Sequence, residues 1–212
     1  RSGIINEKNK EICSNSAVGT YIVKFIFRFA CKCGYSRKWC GCYVGKSTLT
    51  SGNYQYKVLY DNTICISRYI GEEENVTIPA KINGLTVTTI GKNAFALTGL
   101  GCLHIPASIT DIKPNAFKFS GFNKIEVDKN NYTSINGVLF SKDKTVLLAY
   151  PKENSATSYI IPDGVKIIES TAFMGTSNLN SIVIPNGVTT IKENAFYLCS
   201  NLKNISIPTS VK

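Results

Sequence analysis

The chain is poor in the groups that most reactions require. Its 212 residues include one histidine (His104), one tryptophan and one methionine. A lone imidazole excludes a two-histidine acid/base or metal centre, and no convergent carboxylate pair is evident, so hydrolase and triad readings have no support. No run of roughly eighteen apolar residues occurs, which excludes a membrane-spanning helix. Acidic residues are scarce, with 14 Asp/Glu against 24 Lys/Arg and a formal charge of +10. That excess is local. Residues 1–46 hold nine Lys/Arg against Glu7 and Glu11, a net +7, and the remainder is nearly balanced. The segment suits an acidic lipid, polysaccharide or nucleic acid, or else is a solvated flank; for the chain as a whole no nucleic-acid partner is expected.

Only seven prolines are present, and their placement carries the first positive signal. Pro162, Pro185 and Pro208 follow Ile161, Ile184 and Ile207, which are spaced by 23 residues. A phenylalanine follows twelve residues after the isoleucine, from Ile105 to Phe117, Ile161 to Phe173 and Ile184 to Phe196, and alanine precedes each one. A fixed short period of this kind marks a solenoid. The clearest unit runs Leu179, Ile182, Ile184, Pro185, Val188, Ile191, Ala195, Phe196. A degenerate copy at Phe122, Ile125 and Val127 has Asp128 in place of proline, and the first copy, from Val76 to Phe95, is stretched by Asn83-Gly84-Leu85.

The alternation in L-x-x-I-x-I predicts one short strand per turn with its apolar residues inward. Proline ends the strand without costing a ladder bond. Asn93, Asn115 and Asn194, just before Ala-Phe, suit caps on a short helical turn. Two segments depart from the period and read as hairpins. In one, Asn136 to Phe140 is a strand, Ser141 to Lys144 a turn and Thr145 to Tyr150 a strand; the other runs from Tyr54 to Tyr69 around Asp61-Asn62 and is expected to cap the first repeat. The sequence stops at Ile207-Pro208-Thr209-Ser210-Val211-Lys212, before an Ala-Phe half. An array cut from a longer one, able to self-associate through its open C-terminal edge, is the expectation.

With these residues in view, the chain resembles the BspA-like leucine-rich-repeat family of surface proteins. The resemblance spans 47–212 and rests on Ser51-Gly52-Asn53-Tyr54, Thr77-Ile78-Pro79, Ile90-Gly91, the Ala-Phe pairs and Asn136-Gly137-Val138-Leu139-Phe140. It implies a leucine-rich-repeat solenoid of the α/β horseshoe class, β-dominated, with 23-residue repeats, an N-terminal hairpin cap and one inserted hairpin. It further implies a secreted or cell-surface adhesion module that binds an extracellular protein or glycan; from the missing catalytic groups, no enzyme activity and no cofactor are expected. Residues 1–46 fall outside the family pattern and form a separate basic, cysteine-containing segment.

Cys31, Cys33, Cys40 and Cys42 form C-x-C…C-x-C. Four thiolates could close a zinc site, but zinc pairs are usually spaced by two to four residues, so metal, disulfides and free thiols all stay open. A thiol or metal-binding module riding on the solenoid, or a spacer array without a ligand, are the alternative functions. Gly45-Lys46-Ser47 fails as a phosphate loop because Cys40 stands where its first glycine belongs. Tyr21 to Ala30 reads as a strand, since Lys24 and Arg28 interrupt a signal-peptide core. Cys199 is expected as a reduced thiol in a small apolar position. The candidate site is the outward row of the strands: Thr77, His104, Lys124, Glu126, Val183, Asn204 and Ser206, with Ile160 among them, and His104 facing Glu126 one rung on. Asn75-Val76-Thr77, Asn131-Tyr132-Thr133 and Asn204-Ile205-Ser206 are glycan acceptor triplets, meaningful only in a eukaryotic secretory setting.

Overall fold

A computed structural model of the chain describes residues 47–129 and 131–212. The expectations for Cys31, Cys33, Cys40 and Cys42 and for a strand over 21–30 lie outside the described residues. Among those described, the first elements are antiparallel: β1 (Leu49–Ser51), β2 (Tyr54–Val58) and β3 (Ile64–Tyr69). The β2–β3 turn falls at Asp61-Asn62. There the Asp61 carboxylate accepts the Thr63 N–H (3.0 Å) and hydroxyl (2.7 Å), a side chain imitating a backbone turn.

The first repeat supplies β4 (Asn75–Thr77), β5 (Lys81–Ile82) and β6 (Leu85–Ile90). The stretch at Asn83-Gly84 resolves into a tight hairpin: Ile82 pairs with Leu85, and Asn83 and Gly84 have φ of 49° and 80°. Two successive positive φ values define the turn whose twist matches that of the strands, and Asn-Gly is its preferred sequence. The second repeat gives β7 (Cys102–Ile105) and β8 (Asp111–Ile112), and the degenerate copy gives β9 (Lys124–Val127).

The inserted segment has three strands: β10 (Tyr132–Ile135), β11 (Val138–Ser141) and β12 (Val146–Ala149), antiparallel in order. This corrects the reading of Asn136-Gly137 as strand. Both residues have positive φ (50° and 81°) and form a second Asn-Gly turn between β10 and β11. The later repeats contribute β13 (Ser158–Ile160), β14 (Ile167–Ile168), β15 (Ser181–Val183), β16 (Thr190–Ile191) and β17 (Asn204–Ser206).

Stacking produces a β-dominated solenoid with three kinds of wall. On the first wall the L-x-x-I-x-I strands pair in parallel, β4-β7-β9 and β13-β15-β17. Their inward residues Val76, Leu103, Ile105, Ile125 and Ile182 are buried. The proline carbonyl then closes a turn on the residue three positions on, as from Ile109 to Pro106 (3.1 Å) and Val188 to Pro185 (3.1 Å). The second wall carries the short V-x-x-I strands, β6-β8 and β12-β14-β16, and the irregular strands join it, because β3 pairs in parallel with β6 and β12 with β14.

The third wall is built from turns. No helix is present among the described residues, and the helical turn expected after Asn93, Asn115 and Asn194 is absent. These asparagines have φ of 59°, 62° and 57° and therefore lie in the left-handed region that asparagine tolerates better than most residues. Overlapping four-residue turns follow, with Ala94 N–H to Gly91, Ala96 N–H to Asn93, and their equivalents in each repeat. The next rung is stitched on by Phe95 N–H to Ala116 O (2.9 Å) and Phe173 N–H to Ala195 O (2.8 Å). The alanines are buried, where a larger side chain would hold neighbouring rungs apart. Inside this wall the aromatics stack from rung to rung: Tyr69, Phe95 and Phe117 (5.5 and 6.2 Å), then Tyr150, Phe173 and Phe196 (5.1 and 5.1 Å). The irregular strands thus supply Tyr69 and Tyr150 where a repeat supplies phenylalanine.

Candidate binding face

The outward side of the first wall holds the strand row read from the sequence: Thr77, His104, Lys124, Glu126, Ile160, Val183, Asn204 and Ser206. Register places Asn75, Cys102 and Lys124 in one row, and Thr77, His104 and Glu126 in the row beside it. On β13-β15-β17 the corresponding rows are Ser158, Ser181 and Asn204, and Ile160, Val183 and Ser206. Alternation alone sends these side chains out, because their neighbours fill the core.

The expected single row is divided into two ladders. Between β9 and β13 the Asn136-Gly137 turn abuts β9: Ile125 N–H donates to Gly137 O (2.9 Å), and a side chain on Gly137 would stand 2.8 Å from Lys124 Cβ. The ladders also differ in chemistry. The first is charged. His104 Nε2 lies 3.1 Å from Asp128 Oδ1, His104 Nδ1 lies 3.9 Å from Glu126 Oε2, and Lys124 Nζ lies 2.8 Å from Glu126 Oε1. The Lys124 hydrogen bond and charge hold the Glu126 carboxyl below its ordinary range, with His104 adding to the effect. Lys124 is raised in turn by Glu126. Both side chains are exposed, so the pair orients the row more than it stabilises the fold.

Asp128 is the member of this cluster that the sequence reading missed. It occupies the proline position of the degenerate repeat, and its second oxygen accepts the Ala107 N–H (3.3 Å). An aspartate in a position that elsewhere ends a strand with proline was the available signal. The Cys102 thiol faces out from the same strand, and burial followed by the Glu126 charge pushes it up, so it is a poor nucleophile there. Together Asn75, Thr77, Cys102, His104, Lys124 and Glu126 line a shallow open depression.

The second ladder is uncharged and partly apolar. Ile160 and Val183 are direct neighbours in register and remain 71% and 53% exposed. Serine and asparagine flank them. Among the described residues no group of three His, Cys, Asp or Glu side chains is placed to hold a metal ion. Cys199 lies on the turn wall. Its thiol donates to Phe173 O (3.1 Å) and lies 3.2 Å from Thr176 Oγ1, so the position is a hydrogen-bonding one rather than a small apolar one. Thr98, Ser120 and Thr176 each donate to a phenylalanine carbonyl in the same way.

Residues 68–151 and 148–212 match the BspA type leucine rich repeat region, in six copies. The chain belongs to this family. Curated proteins give no match to it. Among solved structures, BspA-type repeats of this chain are similar to the pneumococcal vaccine antigen PcpA, with 19% identity, 78% of this chain and 71% of that chain covered, and a TM-score of 0.48. A leucine-rich repeat protein from Eubacterium ventriosum matches at 24% identity over 72% of this chain and 69% of that one, with a TM-score of 0.46. The leucine-rich repeat protein of T. pallidum matches at 21% identity over 74% and 80%, with a TM-score of 0.43. In BspA-type terms the first wall is the strand face of the repeat, and the Ala-Phe turns form the wall that closes it.

Proposed function

We propose that this BspA-type solenoid is a secreted or surface-exposed interaction module that holds an extracellular protein or glycan on its strand face and performs no reaction of its own. The observation that carries the reading is the registered pair Ile160 and Val183, exposed side by side on a sheet face. Contiguous exposed apolar surface is what interaction sites present, and this pair is the apolar element of the face. The charged ladder of His104, Lys124, Glu126 and Asp128 supplies orientation and selectivity, since exposed charges steer association more than they tighten it. Thr77, Asn204 and Ser206 add hydrogen-bonding groups at the outer strands. The surface setting is proposed from membership of the family.

The test immobilises the chain and measures binding to a panel of matrix proteins and glycans. For any partner found, His104→Ala, Lys124→Ala and Glu126→Ala together should weaken association with a marked loss of salt dependence, and Ile160→Asp with Val183→Asp should weaken it at least tenfold. Unchanged affinity in both variants, with the fold intact by circular dichroism, would rule out the strand face.

A further inference from the structure

The turn wall carries a second left-handed residue two positions after each repeat phenylalanine. These are Leu97, Phe119, Gly175 and Leu198, with φ of 61°, 59°, 77° and 57°. Gly175 is the residue such a backbone favours, because any Cβ is crowded there. The other three rungs place a large apolar side chain at the strained position. Burial does not explain the choice: Leu97 is 80% and Leu198 57% exposed, as is Tyr197 at 51%, and Phe119 is half-buried. Residues kept in sparsely populated conformations concentrate where function needs them.

Stacking lines these side chains up. Leu97 N–H donates to Lys118 O (3.1 Å) and Gly175 N–H to Tyr197 O (2.9 Å). A side chain on Gly175 would lie 3.6 Å from the Phe119 ring and 3.5 Å from Lys152 Cε, so Phe119 bridges toward the later rungs. The result is an interrupted ridge, with Leu97 and Phe119 on neighbouring rungs and Tyr197 and Leu198 on the rung after Gly175. Its first half is also basic. Residues 91–99 and 113–121 contain Lys92, Lys113 and Lys118 and no Asp or Glu. Lys118 Nζ stands 5.6 Å from the centre of the Phe119 ring, and Lys113 pairs with Asp111.

We propose that this ridge docks on a lipid surface carrying anionic headgroups, with the four apolar side chains in the acyl boundary and Lys92 and Lys118 at the phosphates. Two features favour lipid over a protein partner. The N–H groups of Leu97 and Tyr197 are engaged with Lys118 O and Asn194 O, so these two ridge positions offer side chains and no backbone donors to an incoming chain. Four side chains also fall well short of the roughly 800 Å² per partner that a stable protein interface needs. Apolar anchors beside lysine stems are the arrangement that interfacial segments use.

The test is sedimentation of the full chain with vesicles of phosphatidylcholine alone and with added phosphatidylserine. Leu97→Gly, Phe119→Gly and Leu198→Gly together relieve three strained positions, so thermal stability should hold or rise while partitioning onto anionic vesicles falls at least tenfold. Lys92→Gln with Lys118→Gln should reduce anionic binding several-fold and leave neutral vesicles unaffected. The basic residues 1–46 are common to every variant, so the differences report the ridge. Should the Phe119 change disturb folding, the Leu97→Gly, Leu198→Gly double variant carries the same expectation with a smaller loss. Equal partitioning of wild type and glycine variants, or no dependence on phosphatidylserine, overturns the proposal. So does a wild type that binds no vesicle while the glycine variant loses a protein partner, which would assign the ridge to protein.

Discussion

Asn93, Asn115, Thr171 and Asn194 occupy one position of the turn wall, and all four are left-handed. Asparagine tolerates that region through its short polar side chain, whereas a β-branched residue does not. Thr171, at φ 61°, is the exception. Thr171→Asn should therefore raise stability by about 1 kcal/mol in urea unfolding, whereas Asn194→Val should lower it by a similar amount. The sequence could not reveal this conformation, because an asparagine ahead of Ala-Phe serves equally as a helix cap and as a left-handed turn residue, and only the absence of a helix separates the two. Asp128 was hidden for a related reason. Its contact with His104 depends on rung-to-rung register, which a period predicts only where the repeat is regular. Tyrosine gives a second residue-scale test. Burial, with Glu73 adding for Tyr54 and Asp111 for Tyr132, pushes both phenols up to about 12. The folded state thus holds these protons more tightly than the unfolded chain, and the stabilisation is complete below the ordinary tyrosine value of 10.0 and lost as pH rises toward 12. Denaturant midpoints should fall over that window, and Tyr54→Phe with Tyr132→Phe should flatten the fall.

At the scale of elements, the Ala-Phe spacing was legible because it is a packing requirement. Phe173 is fully buried between Tyr150 and Phe196 at 5.1 Å from each, so Phe173→Ala should cost about 3–5 kcal/mol. Ile160→Ala, on the solvent side of its strand, should stay within about 0.5 kcal/mol. Chemical denaturation of the two variants side by side checks the contrast. The strand-turn boundaries of the insertion were less legible. Val138-Leu139-Phe140 is a continuous apolar run, and such a run signals a strand buried on both faces without fixing where the strand begins. The preceding Asn-Gly supplied that boundary, as it did at Asn83-Gly84. Gly137→Ala meets both a left-handed φ and a 2.8 Å approach to Lys124 Cβ, so it should destabilise by more than the roughly 1 kcal/mol that the conformation alone costs.

Across the whole molecule the insertion partitions the interior. Leu139 and Ala149 join the core of the early repeats, while Val138, Phe140, Leu147 and Tyr150 join the core of the later ones. Repeat arrays couple each unit only to its neighbours. The two cores are therefore linked through β11 and β12, and Leu139→Ala and Phe140→Ala should each lower global stability by about 2–5 kcal/mol although they face different repeats. Amide exchange that quickens in only one half of the solenoid after either change would break that link. The same partition separates the charged ladder from the apolar one, a division that no count of repeats reveals. The proposal that both ladders form one recognition face is tested most directly by hydrogen exchange of the chain with and without a partner found by panel binding. Protection on binding should concentrate in β7, β9, β13 and β15 and spare the turn wall; protection confined to the turn wall or to the second wall would contradict it.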